Sequence, residues 1–126
     1  MNIATWIIQV LLGVMFLLAG AMKTFTPIDE MAMNEGMAWA AAVPTWMPKL
    51  AGIAEILGGL GMILPSALRI RPELTVYAGY GLTLVMIFAV ILHISRGEPF
   101  VSPLVLGALA AFVSWSRSKK VPIAAK

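Results

Sequence analysis

The chain has 126 residues, of which 60% are hydrophobic and only 12% are charged. A water-soluble globule of this size needs more polar surface than this composition supplies, so we expect a membrane protein. The absence of cysteine excludes disulfides, thiolate nucleophiles and Cys-ligated metals, and a net charge of +3 without a basic patch interleaved with aromatics argues against a nucleic-acid partner.

Four apolar stretches are long enough, or nearly so, to cross a bilayer core that needs about 20 helical residues. The second is bounded by Pro48 and Pro65 and the fourth begins at Pro103, so both are short and are expected to tilt or to include flanking residues. The sequence therefore predicts an all-α fold, an integral membrane four-helix bundle that forms a single domain over residues 1–126. The predicted spans are residues 3–22, 47–64, 74–94 and 103–115, followed by a basic cytoplasmic tail at 116–126.

The longest connection, residues 24–48, joins the first two spans. It contains a hydroxyl residue, Thr26, followed by a proline and two acids, which is typical of a helix start. Residues 28–42 are predicted to form a short interfacial helix, because their three acidic residues disfavour a fifth span. This helix carries Trp39 and is expected to roof a site between the spans. Its methionines suggest soft-metal binding, but apolar packing explains them, and no metal site is predicted.

The distribution of basic residues predicts the orientation. With four spans, both termini and the second loop share one side of the membrane, and that side carries six of the nine Lys and Arg residues. The positive-inside rule then places both termini in the cytoplasm. The six are Arg69, Arg71, Arg117, Lys119, Lys120 and Lys126, against Lys23, Lys49 and Arg96 on the other side.

Glu55 is the main candidate for a functional residue, because it lies in the middle of an apolar, glycine-dotted span. A carboxyl group in hydrocarbon costs roughly 2.5–3.5 kcal/mol even on lenient scales, so it must face the bundle interior or a partner. Lys23 ends the first span and His93 ends the third, which brings both to a similar depth in the outer leaflet. We predict that Glu55 lies within hydrogen-bond reach of one of them. Three simpler interpretations stay open: a Lys23 that reaches the headgroups, an ordinary interfacial His93, and a purely structural bridge.

Helical phase adds further residues to the predicted ligand site. At about 100° per residue, Gln9 and Phe16 share the face of Lys23, Gly52 shares that of Glu55, and Met86 shares that of His93. The small residues around Glu55 allow close approach of a neighbouring helix, so this face is predicted to look inward.

Short motifs recur in order through the first three predicted spans. They are Gly20-x-x-Lys23, Gly52-x-x-Glu55-x-x-Gly58-Gly59, Leu64-Pro65 followed by Arg69, and Ala89 preceding His93. Together with the four-span plan, this pattern resembles the DoxX-like family of small four-helix membrane proteins. The resemblance covers nearly the whole chain and marks Lys23, Glu55, Arg69 and His93 as the positions to examine.

Two functions follow from the resemblance as expectations. The family is similar to the membrane subunits of thiosulfate:quinone oxidoreductase, which implies a bacterial inner-membrane subunit whose outer-leaflet polar cavity accepts a quinone. Glu55 and His93 would then exchange protons with the quinone, Lys23 would stabilise anionic oxygen, and a soluble oxidoreductase partner would supply electrons. Trp39 and Arg69 complete the expected ligand-binding set; no flavin, haem or metal site is recognisable. The alternative is a protein without catalysis, either a lipid or small-ligand binding protein or an assembly factor, because distant relatives include a receptor-assembly chaperone. A homo-oligomer is compatible with both functions.

Overall fold

The computed structural model describes residues 2–33 and 43–125 of the chain. The described residues form helices and connections, and no strand occurs among them. The helices are α1 (Asn2–Phe25), α2 (Ile28–Met33), α3 (Trp46–Leu68), α4 (Glu73–Ser95) and α5 (Val101–Trp115), which continues into a π-helix (Ser116–Lys120). Four of these segments are long and apolar enough to cross a membrane, which confirms the predicted all-α four-helix architecture.

Two of the spans are longer than predicted because prolines do not limit them. Pro48 and Pro103 lie in the first turns of α3 and α5, where the backbone N–H groups have no partner within the helix in any case. Pro65 lies inside α3, which passes through it and ends at Leu68. With the π-helix, the fourth span covers Val101–Lys120, so the first residues of the predicted tail belong to the helical bundle.

Pro65 lacks an N–H group, so the carbonyl of Gly61, one turn earlier, has no helical donor. The hydroxyl of Thr75 on α4 donates to this carbonyl at 3.1 Å and lies 2.6 Å from the hydroxyl of Ser66. Gln9 of α1 donates its side-chain amide to the next carbonyl, that of Met62. The hydroxyl of Thr75 thereby satisfies the carbonyl that the proline leaves open, and α3 continues past Pro65.

Each helix in the bundle packs antiparallel against the next in sequence, and α1 closes the ring against α5. Glycine controls the contact between α1 and α3. A Cβ atom placed on Gly20 would lie 2.6 Å from the carbonyl oxygen of Gly52, and one on Gly59 would lie 2.8 Å from that of Gly13. The two backbones therefore touch at two levels, seven residues apart on each helix.

Glycines also set the remaining helix contacts. Gly58 packs against Leu82 of α4, Gly79 against Ser114 of α5, and Gly107 against Met86. The glycine-rich face of α3 is thus occupied inside the bundle by α1 and α4.

An apolar layer crosses the middle of the bundle and separates its two ends. The end formed by Asn2, Leu68, Glu73 and Lys120 is called the terminal end, and the end formed by Phe25, Trp46, Ser95 and Val101 is called the Lys23 end. Polar side chains are buried toward both ends. The buried apolar residues between them are Leu12, Phe16, Met62, Leu82, Met86, Ala110 and Val113.

The short helix predicted after the first span is present as α2, Ile28–Met33, with Asp29 and Glu30 in its first turn. Acidic side chains at a helix start interact favourably with the helix dipole. Residues 34–42, the remainder of the predicted helix, lie outside the described residues.

Candidate functional site

Lys23 and Glu55 form an ion pair between α1 and α3. The ammonium nitrogen of Lys23 donates to both carboxylate oxygens of Glu55, at 2.7 and 2.8 Å. The Glu55 side chain is only 1% exposed, whereas that of Lys23 is 17% exposed. Glu55 is predicted to contact Lys23 or His93, and the contact with Lys23 is present. Of the two charged groups, the Lys23 ammonium lies on the more accessible side.

The local sequence explains why these two side chains meet. Gly20 lies one turn before Lys23 and Gly52 lies one turn before Glu55, so the helices are in backbone contact beside the pair. A Cβ atom on Gly52 would collide with the Thr24 hydroxyl and the Lys23 side chain. Lys23 also lies in the last turn of α1, where the helix dipole favours a cation. Small residues thus bring two long side chains within bonding distance.

Lys49 adds a second cation at the same end. Its ammonium group donates to the carbonyl oxygens of Thr24 at 3.1 Å and Thr26 at 2.6 Å. Thr24 lies in the last turn of α1 and Thr26 just after it, where helical donors run out. Lys49 therefore fixes the connection that leaves α1 and holds positive charge close to Lys23.

His93 lies at the Lys23 end, near the end of α4. Its Nδ1 atom is 3.0 Å from the carboxylate of Glu98, whose backbone N–H donates to the His93 carbonyl at 2.8 Å. Arg96 is 3.1 Å from the same carboxylate, and its hydrogen bond, followed by that of His93, lowers the pKa of Glu98 below the usual value. The structure therefore gives His93 a carboxylate partner in the following turn, which sequence analysis missed.

The other predicted ligand residues are distributed over the bundle. Gly52 lies beside the ion pair, while Phe16 and Met86 are buried in the apolar layer. Gln9 shares the face of Lys23, but it lies toward the terminal end. Arg69 also lies at the terminal end, where its Nε donates to the carbonyl of Ala124 at 2.8 Å. Trp39 lies outside the described residues.

A second polar cluster, at the terminal end, was not anticipated. Arg117 is buried there and donates to the side-chain oxygens of Gln9 at 2.9 Å and Asn2 at 2.7 Å. The hydroxyls of Thr5 and Ser116 lie 2.7 Å apart beside it. The signal was available in the sequence, because Arg117 continues the buried face of α5 after Ala110, Val113 and Ser114 at helical spacing.

Neither cluster has the composition of a metal centre. Among the described residues, no group of three or more His, Asp or Glu side chains is arranged to hold a metal ion. What the Lys23 end offers instead is a membrane-buried carboxylate with a fixed ammonium group, and a histidine–carboxylate pair at the adjacent helix end. Such groups can donate or accept protons and can stabilise an anionic oxygen.

Four antiparallel spans around an apolar layer, with an ion pair between the first two, define a small polytopic membrane protein with a polar intramembrane site. The DoxX-like family matches the chain over residues 7–114, which covers all four spans up to Ser114, and the protein belongs to this family. The comparisons with curated proteins and with solved structures gave no match.

Proposed function

We propose that this DoxX-like protein is the membrane subunit of a quinone-linked oxidoreductase and that the quinone headgroup binds beside Lys23 and Glu55. The observation that carries the proposal is the ion pair itself. A carboxylate that is 1% exposed inside a span is costly to bury, which favours a functional role for it, and its cation is placed on the accessible side. The family membership makes a quinone the first ligand to test.

The chemistry divides between this chain and its partner. Conversion of a quinone to a quinol takes up two electrons and two protons. A soluble oxidoreductase partner with a two-electron donor would supply the electrons, since this chain contains no thiol. Lys23 would stabilise negative charge on the headgroup oxygen. Glu55 would take up a proton and transfer it to the headgroup, and would do so twice for each quinol formed. His93 and Glu98, at the same end, would exchange protons with water.

The proposed location is the bacterial inner membrane with both termini in the cytoplasm. The positive-inside rule supports this orientation, because the terminal end carries more Lys and Arg than the Lys23 end. The quinone site would then face the outer leaflet.

The same geometry supports a second candidate, a lipid or small-ligand binding protein without catalysis. An ion pair with one accessible side suits any polar headgroup attached to an apolar tail. Docking of another membrane protein through the glycines of α3 gains no support, because Gly52 and Gly59 already contact α1.

Calorimetric titration of the purified protein in detergent with a short-tailed benzoquinone analogue tests the proposal. Glu55→Gln should weaken binding by about tenfold, the equivalent of one charge-assisted hydrogen bond. Glu73→Gln makes the same chemical change at an exposed carboxylate at the terminal end and should leave the affinity unchanged.

Two results would count against a quinone site. Equal affinity in the wild type and Glu55→Gln would reduce the ion pair to a structural bridge. Tight binding of a phospholipid or detergent-like ligand at Glu55, with no quinone binding, would favour the second candidate.

A further inference from the structure

Arg117 is a buried cation whose hydrogen-bond partners are all uncharged. It is 4% exposed and lies in the π-helix that ends the fourth span. Its Nε donates to Gln9, its Nη1 donates to Asn2 and to the carbonyl of Val121, and the guanidinium stacks 4.9 Å from the ring centre of Trp6. Its Nη2 is buried and has no hydrogen-bond partner among the described residues. The guanidinium is thus held firmly but has no counter-ion within residues 2–33 and 43–125.

A buried charge without an opposite charge is costly, and an arginine cannot reduce this cost by losing its proton. An unsatisfied guanidinium N–H adds to the cost. A truncated or neutral side chain at position 117 would avoid both of these costs. The arrangement is therefore better explained if an anion from outside the described chain completes it.

Arg117 lines a crevice of about 330 Å³ at the terminal end, beneath the C-terminal segment 121–125. A wider crevice of about 600 Å³ adjoins it and shares Ser66, Pro122 and Ile123 as wall residues. Arg69 and Lys120 line the wider crevice, together with Asn2 and Trp6. We call the two crevices together the terminal groove.

The charges of the terminal groove favour an anion. Three cations line it, namely Arg117, Arg69 and Lys120. One carboxylate, Glu73, lies on the wall of the narrower crevice, where Arg71 pairs with it at 3.5 Å. The positive charge is therefore concentrated between Arg117 and the wider crevice.

We propose that the terminal groove binds the phosphate group of an anionic phospholipid, with Arg117 as the buried charge and Arg69 and Lys120 at the rim. A guanidinium presents paired N–H donors that match phosphate oxygens. The groove opens at the ends of the spans, where headgroups lie, and Trp6 on its wall is a residue type typical of that level. This site is at the opposite end from Lys23 and Glu55 and does not depend on the proposed quinone site.

Native mass spectrometry of the detergent-solubilised chain with defined lipids tests this site. Phosphatidylglycerol should bind more tightly than phosphatidylcholine, and the double variant Arg69→Gln, Lys120→Gln should reduce its binding by about tenfold or more. The matched control, Arg96→Gln with Lys119→Gln, removes the same charge from residues that do not line the groove and should bind as the wild type does. Arg117→Gln should abolish the preference for phosphatidylglycerol; if that variant fails to fold, the rim variants still decide.

Three results would overturn the assignment. Equal binding of the two lipids would remove the charge preference, and equal losses in the rim and control variants would reduce the effect to net charge. Inorganic phosphate that binds alone and displaces phosphatidylglycerol would assign the groove to a free anion. Glu55→Gln, which is expected to impair quinone binding, should retain phosphatidylglycerol, so that the two sites can fail separately.

Discussion

The hydroxyl of Thr75 donates to the carbonyl of Gly61, the one carbonyl of α3 that Pro65 leaves without an N–H donor. Thr75→Val should therefore cost about 1–3 kcal/mol of unfolding free energy, because it leaves a buried carbonyl unsatisfied. Pro65→Ala restores the helical donor, so the same change should cost less in that background. Denaturant titration in mixed micelles measures both.

Thr83→Val is the control for this experiment. Thr83 donates to the carbonyl of Gly79, one turn earlier, which already has its helical donor. Thr83→Val should therefore lower the unfolding free energy by less than Thr75→Val does. If Thr75→Val lowers the unfolding free energy equally in the wild-type and Pro65→Ala backgrounds, the Thr75 hydroxyl does not compensate for the proline.

The Lys23–Glu55 pair should be strongly asymmetric to mutation. Lys23→Met leaves the buried carboxylate without its cation and should lower the unfolding free energy by about 3–5 kcal/mol. The double variant Lys23→Met, Glu55→Leu removes both charges and should regain most of that loss or exceed the wild type. Glu55→Gln should still insert into the membrane. A double-mutant cycle of unfolding measurements gives the coupling, and simple additivity would contradict the pairing.

Gly20 and Gly81 provide a matched pair of substitutions within spans. A Cβ atom on Gly20 meets the Gly52 carbonyl, so Gly20→Ala should separate α1 from α3 and cost about 1–3 kcal/mol. Gly81 has nothing within 4 Å of its hypothetical Cβ. Gly81→Ala should therefore stabilise the protein by about 0.5–1 kcal/mol, since alanine is the better helix former. Thermal unfolding of the two variants should shift in opposite directions.

Glu98 should make the α4–α5 connection sensitive to acid. Hydrogen bonds from Arg96 and His93 hold the pKa of Glu98 below its ordinary value of 4.5. The stability that these bonds contribute is present above that value and is lost as the pH falls through the lower, folded-state pKa. The difference in melting temperature between the wild type and Glu98→Gln should thus disappear in acid. A difference that persists below the folded pKa would rule out the carboxylate as its source.

Single cysteines can test the orientation, because the chain has none of its own. A membrane-impermeant maleimide added to intact cells should label Asp29→Cys in α2 and should not label Lys119→Cys in the π-helix. Permeabilised cells should show labelling of both. Labelling of Lys119→Cys alone in intact cells would reverse the orientation and place the Lys23 end in the cytoplasm.

The sequence could predict the Lys23–Glu55 pair because a mid-span carboxylate must be partnered, and depth and helical phase leave few candidates. Phase alone misplaced Gln9, which shares the face of Lys23 but lies 14 residues away on α1, or about 21 Å along the axis. Gln9 instead bonds to Met62 and Arg117. A residue's face and its depth are independent, and both must match for two side chains to meet.

Features at the helix ends were harder to predict. His93 contacts Glu98 across the turn that follows α4. A turn lacks the regular residue spacing of a helix, so spacing alone does not predict which of its side chains meet. The sequence predicts Arg117 in a cytoplasmic tail, because the fourth predicted span ends at Trp115. A count of 20 residues from Val101 would have carried the helix to Lys120 and placed Arg117 on its buried face. The sequence predicts a helix end before Pro65, because the Thr75 hydroxyl that compensates for the proline lies on another helix.

The apolar layer between the two polar ends has a consequence for proton movement. Leu12, Phe16, Met62 and Leu82 are each at most 2% exposed and interrupt any chain of polar groups between Glu55 and Arg117. Among the described residues, no polar relay leads from the Lys23 end through this layer, so the protons for the proposed quinone site would be taken up from the Lys23 side. Turnover at Lys23 and Glu55 would therefore carry no proton from one face of the membrane to the other through the interior of this subunit.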